Sequence, residues 1–530
     1  MIDVNKTIYE SWLPVCEKYA TREALSYKGS SISYRAFKTL INRCAFAYRS
    51  LGLKDKDTIL LLSSNIPEAL AAVFAASQCG LRVAFLHPES KEENVYKDLR
   101  KNGAKLFVVS SALLAKMKGV IKTGVKVLVL PVESSLRGLK KVMAKKERFD
   151  YKSHPNLHNF GEYQHEDTRA TSYPSKRGRI YLESGGATGE RRTVILSDFA
   201  LLSLIQDVPE FIHKNNGDLE NTEMFAPLSL FHGTGLSIGL LSFLYYGGRD
   251  YLVDTFSTKD ALEVLNHKKE VVYVGLPYMF QELVNEKGFS GSKLKQVRMG
   301  IAGGGYLDPA LEDAFEKRVR ESGGKAYLNA GYGLSETVSI NTVNTNISHR
   351  AGSVGKAISG VEILILGTDG KVAPRNTPGE IIVAGTTLMN GYAEGEDPFV
   401  ELYDKKYVKT GDIGKMDADG YLHFVSRKKR LIVKNGYAVY PLTVEKELSK
   451  LPMIEECAYL SRPLGNEEET CLFVHLKKGC DETRSRLALV AAIKKMFYDY
   501  VVPDRIECVG PLPRGEGAKI DEEKLWGKIL

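Results

Sequence analysis

The residue types best suited to chemistry gather first in Tyr181–Thr193, which reads YLESGGATGERRT. The strand-like run RIYL leads into a string of small residues. Gly185, Gly186 and Gly189 have no Cβ, so backbone N–H groups can turn inward around an anion. Ser184 and Thr188 add hydroxyl donors, and Arg191 and Arg192 place positive charge at the exit. Concave donors with fixed cations are what a triphosphate requires. The spacing is not G-x-x-x-x-G-K-[ST], which excludes a P-loop nucleoside triphosphatase. Alone, the segment also fits a glycine-rich surface turn beside basic residues.

The elements that must hold this loop follow β-α-β grammar. Thr58–Ser63 (TILLLS) is a continuous apolar run, as in a buried parallel strand. Ser64 or Asn65 is placed to cap the helix Ala69–Cys79, with Pro67 in its first turn and Gly80 ending it. Strands are expected at Val83–Leu86, Lys105–Val109 and Val125–Leu130. A second α/β stretch has strands at Val271–Val274, Arg298–Ala302 and Lys325–Asn329, and a helix at Pro309–Glu321. This alternation predicts mostly parallel sheets covered by helices. From about Gly352 the runs VEILILGTDG, GEIIVAG and GYLHFVS read as short antiparallel strands, barrel-like in spacing. A basic run, KKR, follows Arg427 and marks a domain boundary.

Composition sets outer bounds. A chain of 530 residues with 73 Lys and Arg against 65 Asp and Glu has a net charge of only +8, which suits anionic ligands but does not indicate nucleic-acid binding. Seven scattered cysteines without a CxxC pair read as free thiols in a reducing compartment, not a zinc site or disulfide frame. The N-terminus MIDVNKTIYE shows no secretory pattern, and a cytoplasmic location is expected. Residues 224–248 carry no formal charge over a spanning length, yet their five glycines, Pro227 and His232 fit a buried strand, loop and helix better than a membrane span. The Lys/Arg-rich segment Arg137–Arg148 reads as a solvated helix or insertion, with a polyanion contact as the alternative.

Six segments in order resemble the motifs of adenylate-forming enzymes, the superfamily of acyl-CoA and aryl-CoA synthetases, peptide-synthetase adenylation domains and beetle luciferases. SGGATGERR resembles the phosphate loop, AGGGYL (Ala302–Leu307) the Gly-Gly-Ala-Pro-Leu strand end, and GYGLSE (Gly331–Glu336) the Y-G-x-T-E motif. KTGD (Lys409–Asp412) matches T-G-D, SRKKRLIVKNG (Ser426–Gly436) resembles the hinge segment, and LPRGEGAKI (Leu512–Ile520) the terminal P-K-x-x-S-G-K-I. The resemblance implies an α/β fold: a large N-terminal AMP-binding domain (1–428) of two α/β subdomains and a small β-barrel-like one, then a small mobile α+β domain (429–530). It implies an ATP-dependent ligase that joins a carboxylate to ATP, giving an acyl-adenylate and pyrophosphate, and passes the acyl group to the thiol of coenzyme A or a carrier protein's phosphopantetheine.

By position, Ser184, Gly185, Gly186, Thr188, Gly189 and Arg192 would hold the phosphates, with Gly303 and Gly304 lining the nucleotide site. Tyr332 would stack on adenine, its flanking glycines favouring an exposed ring face; core packing is the alternative. Ser335 would donate to the α-phosphate and Glu336 would hold Mg²⁺, since a hard cation prefers a carboxylate. Asp412 would accept from the ribose hydroxyls, joined by Arg427. Lys519 would be the catalytic lysine. His232 belongs to a segment, Leu230–Gly233, where amino-acid-activating members carry Phe-Asp; Phe231-His232 resembles the P-L-F-H of acyl-CoA and aryl-CoA synthetases and implies a fatty or aromatic acid, while a satisfied buried histidine is the alternative.

Three departures stand out. Arg191-Arg192 replaces the family's Pro-Lys, and Glu183 precedes the loop. Aligning Arg427 and Gly436 puts Lys429 at the hinge and Val433 where a lysine is common, so that contact is dispensable or supplied by Lys434. Two other functions remain open: an adenylating enzyme that delivers only to a carrier protein or a non-thiol nucleophile, and a catalytically silent binding module. Nothing in the sequence speaks to the oligomeric state.

Overall fold

A strand with no polar face must be covered on both sides, and TILLL is. It forms the fully buried strand Thr58–Leu62 inside an eight-stranded sheet. The structure, a computed structural model, describes residues 2–117, 119–131, 149–184, 192–213, 219–267, 269–395, 397–430, 432–434, 437–464, 467–497, 499–514 and 520–529. The basic segment 137–148 lies outside them.

The sheet order is Gly391–Tyr392, Thr193–Ser197, Gly178–Glu183, Arg82–Phe85, Thr58–Leu62, Ala104–Ser110, Lys126–Leu130, Leu157–Asn159. The last six run parallel, and the first two are antiparallel additions. Every residue of the helix Pro67–Gln78 is buried, its polar Glu68, Ser77 and Gln78 included. Pro67 takes the first position, but neither Ser64 nor Asn65 caps it; Ile66 does, without a side-chain bond. The Asn65 amide is spent on a distant loop, donating to the Leu228 carbonyl (2.9 Å) and accepting from the Leu230 N–H (3.0 Å).

The second sheet has nine strands, with a parallel core ordered Leu328–Gly333, Val297–Ala302, Glu270–Gly275, Thr222–Phe225, Arg249–Leu252, Glu23–Tyr27. The helix Pro309–Glu321 has the bounds its sequence predicts, with Asp308 capping and Pro309 at the first position. The strand expected at 325–329 begins three residues later, at Leu328, where pairing of Leu328 with Gly300 starts the ladder. The uncharged segment 224–248 is a strand end, a loop and short helical turns, largely buried. Among the described residues no helix is long and apolar enough to cross a membrane.

A smaller five-stranded sheet orders Val361–Leu366, Gly379–Gly385, Lys405–Met416 and Phe399–Leu402, with Leu422–Arg427 also on Lys405–Met416. The chain divides into two compact units: 1–363 with 383–408 and 420–422, and 364–382 with 409–419 and 423–530. The second unit has its own core, in which Leu448, Tyr459, Leu472, Val474, Leu489 and Ile493 pack. That core joins the strands Ile454–Leu464, Glu467–Leu476 and Arg505–Cys508 to the helices Pro441–Leu448 and Glu482–Met496.

One buried group in the first unit opposes folding. Asp250, 1% exposed on Arg249–Leu252, has no hydrogen-bond partner on either oxygen among the described residues. Neighbouring Arg249 is engaged by Glu223 (2.7 Å) and Glu23. Burial, then the charge of Glu223, raises the Asp250 carboxyl well above the ordinary carboxylate range. The folded state therefore holds a proton that the unfolded state releases near pH 4, so stability is lost as pH rises above that point. Asp250→Val is expected to stabilise the protein by about 1–3 kcal/mol at pH 7 and by less at pH 4. Denaturant melts at both pH values check this, and an equal or reversed difference would contradict it.

Candidate active site

In parallel α/β sheets the loops leaving the carboxyl ends of strands form the ligand crevice. Several of the first unit's predicted site residues that the structure describes lie at such ends. Ser184 follows Gly178–Glu183, His232 follows Thr222–Phe225, Gly303 and Gly304 follow Val297–Ala302, and Tyr332, Ser335 and Glu336 end or follow Leu328–Gly333.

The glycine-rich loop leaves a hairpin whose neck is closed. The Ser184 N–H donates to the Arg192 carbonyl (2.7 Å), and the Arg192 N–H donates to Ser184 Oγ (3.3 Å). Gly185, Gly186, Thr188, Gly189 and Arg191 lie outside the described residues. The exposed Arg192 guanidinium sits 5.3 Å from the Tyr392 ring centroid. Tyr392 in turn donates its hydroxyl to Glu336 Oε1 (2.8 Å). Burial, then the charge of Glu336, raises the Tyr392 hydroxyl above its ordinary range, so it stays a donor at neutral pH. Glu336 lies in the short turn Ser335–Thr337, and its carbonyl accepts from the Met389 N–H (2.9 Å).

That turn ends under strain. Val338 has φ +66° and ψ −59°, and the Ser339 N–H donates across it to the Thr337 carbonyl (2.7 Å), making a γ-turn of the rare positive-φ kind. A β-branched residue in this conformation costs about 1–3 kcal/mol. It persists against a close contact: a Cβ on Gly233 would lie 1.8 Å from the Val338 carbonyl oxygen. Ser339 Oγ also donates to Thr234 Oγ1 (2.7 Å). The Glu336 turn and the Phe231–Thr234 loop are thus one packed assembly. His232 is exposed, not buried; its ring lies 4.0 Å from Phe231, which meets His87 at 4.4 Å.

Tyr332 is 8% exposed, not the open ring face expected. Gly333 is small for a different purpose: a Cβ there would stand 1.7 Å from the Ser339 carbonyl oxygen, so the glycine serves close backbone packing, not open space. Gly303 donates its N–H to the Gly275 carbonyl (3.1 Å), and Gly304 beside it is exposed.

The second unit contains Asp412 and Arg427, which form an ion pair (2.9 Å) with Asp412 buried and the Arg427 side chain 49% exposed. Beside them Glu380 accepts from the Gly411 N–H (3.3 Å) and from Lys428 Nζ (2.7 Å). Lys429 falls in the short turn Lys428–Arg430 and Val433 in the strand Ile432–Lys434. Lys434 is committed within this unit: its Nζ donates to Asp504 Oδ1 (2.6 Å), the Val502 carbonyl (2.8 Å) and Thr470 Oγ1 (3.2 Å). Gly436 and Lys519 lie outside the described residues.

The site suits a metal shared with a ligand more than a protein cage. Among the described residues no three His, Cys, Asp or Glu side chains gather to hold an ion. Glu336 offers a carboxylate whose Oε1 is held by Tyr392. One carboxylate completed by phosphate oxygens and water is an ordinary Mg²⁺ arrangement.

Known proteins match this architecture. A model of the AMP-binding enzyme family matches residues 14–393, and the chain belongs to that family. A long-chain-fatty-acid–CoA ligase of Escherichia coli O6:H1 is 26% identical, the match covering 99% of this chain and 95% of that one. A mitochondrial medium-chain acyl-CoA ligase of Rattus norvegicus is 24% identical over 98% of this chain and 87% of its own. Among solved structures, ATP-bound MatB from Rhodopseudomonas palustris superposes with a TM-score of 0.83 at 21% identity, covering 99% of both chains. The anthranilate CoA ligase AuaEII with anthranoyl-AMP gives 0.82 at 19% identity, covering 99% of this chain and 98% of that one.

Sequence reasoning missed Tyr392, Val338 and His87, and gave Asn65 a capping role in place of its bonds to Leu228 and Leu230. The only signal for Tyr392 was a Gly-Tyr pair after an apolar strand, which carries no chemistry by itself. The contact at Gly233 yields a test. Gly233→Ala is expected to displace the Val338 turn, lowering carboxylate-dependent pyrophosphate exchange at least about tenfold and stability by about 1–3 kcal/mol. Exchange rates and melts check this; full activity would show that the close approach is not needed.

Proposed function

We propose that the protein activates a fatty or aromatic carboxylic acid as its acyl-adenylate and transfers the acyl group to a thiol, that of coenzyme A or of a carrier protein's phosphopantetheine. The observation that carries this reading is the assembly in which Arg192 at the loop neck, Tyr392, Glu336 and the His232 loop meet at the carboxyl ends of parallel strands. The CoA-ligase names of full-length relatives support an apolar acid, as does Phe231-His232 in place of a carboxylate that would meet a substrate ammonium.

In this reading Ser184, Gly185, Gly186, Thr188, Gly189 and Arg192 cradle the phosphates, and Gly303, Gly304 and Tyr332 border the adenine. Ser335 donates to the α-phosphate, Asp412 and Arg427 receive the ribose, and His232 stands at the carboxylate. Attack of the carboxylate on the α-phosphorus calls for positioning and charge cancellation, which these residues supply. Mg²⁺, held by Glu336, would add Lewis-acid stabilisation of phosphate charge when bound. Lys519 provides a further cation at the forming adenylate. The domain division is placed at 428/429, with residues 429–530 moving between the two half-reactions. Seven free cysteines support work in a reducing cytoplasm.

A second reading, delivery only to a carrier protein or a non-thiol nucleophile, draws on Val433 and on the engagement of Lys434 inside its own unit. A panel of fatty, aromatic and amino acids in pyrophosphate exchange, followed by CoA and carrier protein as acceptors, separates the readings. Exchange with apolar acids and a CoA thioester is the expected result. Product only on a carrier protein or a non-thiol nucleophile would favour the second reading, and no exchange with any acid would contradict both. Lys519→Ala is expected to lower adenylation by about two powers of ten while largely sparing thioester formation from synthetic acyl-adenylate. Equal loss in both assays would remove Lys519 from the first step.

A further inference from the structure

Tyr392 has no charge, yet it touches two groups that the proposed reaction uses. Its hydroxyl donates to Glu336 Oε1 (2.8 Å), and its ring lies 5.3 Å from the guanidinium carbon of Arg192. Its backbone is tied to the same two segments. Gly391–Tyr392 pairs with Thr193–Ser197, setting Tyr392 opposite Val194. The Ala393 N–H donates to the Thr193 carbonyl (2.9 Å), and the Met389 N–H to the Glu336 carbonyl (2.9 Å). Residues 389–393 therefore splice the exit of the glycine-rich loop to the Glu336 turn through main chain and side chain together.

A glutamate side chain has three rotatable bonds, and a charge-assisted hydrogen bond to one oxygen removes most of that freedom. It also fixes which oxygen is left to face a ligand. An arginine over an aromatic face is held in direction while its N–H groups remain available. One tyrosine can thus aim an anion and a cation at the same phosphates.

We propose that Tyr392 is a positioning residue for adenylation: its hydroxyl orients Glu336 so that the second carboxylate oxygen faces the metal-bearing phosphates, and its ring seats Arg192 at the loop exit. This rests on the reading of Glu336 as the metal-facing carboxylate. A purely packing role would need the ring alone, so Tyr392→Phe separates the two.

The test uses the full chain as parent, Tyr392→Phe, Glu336→Gln, the double variant and Tyr392→Leu. Calorimetric binding of a β,γ-methylene ATP analogue at stepped Mg²⁺ is measured beside the Mg²⁺ dependence of pyrophosphate exchange and thermal melting. Tyr392→Phe is expected to raise the half-saturating Mg²⁺ concentration about tenfold in both readouts, with an unchanged melting temperature. The double variant should be no weaker than Glu336→Gln. Tyr392→Leu should further weaken analogue binding at saturating Mg²⁺, because Arg192 loses its seat. A parent-like Mg²⁺ titration in Tyr392→Phe, or additive losses in the double variant, would overturn the orienting role. Identical analogue binding by the Phe and Leu variants would overturn the seating of Arg192. If Glu336→Gln leaves the Mg²⁺ dependence unchanged, the reading of Glu336 fails; if it shifts while Tyr392→Phe does not, only the positioning role fails.

Discussion

A buried ion pair fixes the base from which the glycine-rich loop springs. Arg179 and Asp198 are both fully buried and meet at 2.8 Å. Arg179 lies on the strand that leads into the loop, and Asp198 begins the helix just after the strand that leaves it. The second Asp198 oxygen accepts from the Ile8 N–H (3.0 Å), Ser77 Oγ (3.2 Å) and the Tyr173 hydroxyl (2.7 Å). Four separate pieces of chain therefore converge on one carboxylate. Removing either charge would strand the other without solvent, a loss of about 3–5 kcal/mol. The hairpin that carries the loop consequently has a fixed root, and its neck is closed again at Ser184 and Arg192.

From that root the described part of the site is assembled by close approach of its segments. The strained Val338 turn presses against Gly233, and the Glu336 carboxylate is reached from residues 389–393. Local strain of this kind survives only where surrounding contacts over-determine it. Here those contacts join the turn that would face the metal to the loop that would face the carboxylate. This fits a reaction in which the protein mainly brings two anions together and offsets their charge.

Much of this was legible in the sequence because periodic elements state their own limits. Pro309–Glu321 begins with an Asp-Pro cap and ends before a Gly-Gly pair, and its bounds were readable without tertiary information. Thr58–Leu62 declared itself by having no polar face. What escaped depends on partners far away in the chain. Asn65 resembled a helix cap, but a loop more than 160 residues on claims its amide. Tyr332 seemed set between glycines that would bare its ring, yet Gly333 is small because the Ser339 carbonyl crosses there. Lys434, adjacent to Val433, gave no sign in the sequence of its bonds to Asp504 and the Val502 carbonyl, which lie about seventy residues on. Tyr392 is uncharged and lies 56 residues from Glu336, so neither residue type nor spacing could reveal it.

In the proposed reaction a carboxylate oxygen attacks the α-phosphorus of ATP. A single turnover with an ¹⁸O-labelled apolar carboxylic acid, ATP and Mg²⁺, followed by a thiol acceptor, tests it most directly. Mass spectrometry of the products is predicted to find one ¹⁸O atom in AMP and none in pyrophosphate. Label appearing in inorganic phosphate together with ADP, or AMP released without label, would contradict the account.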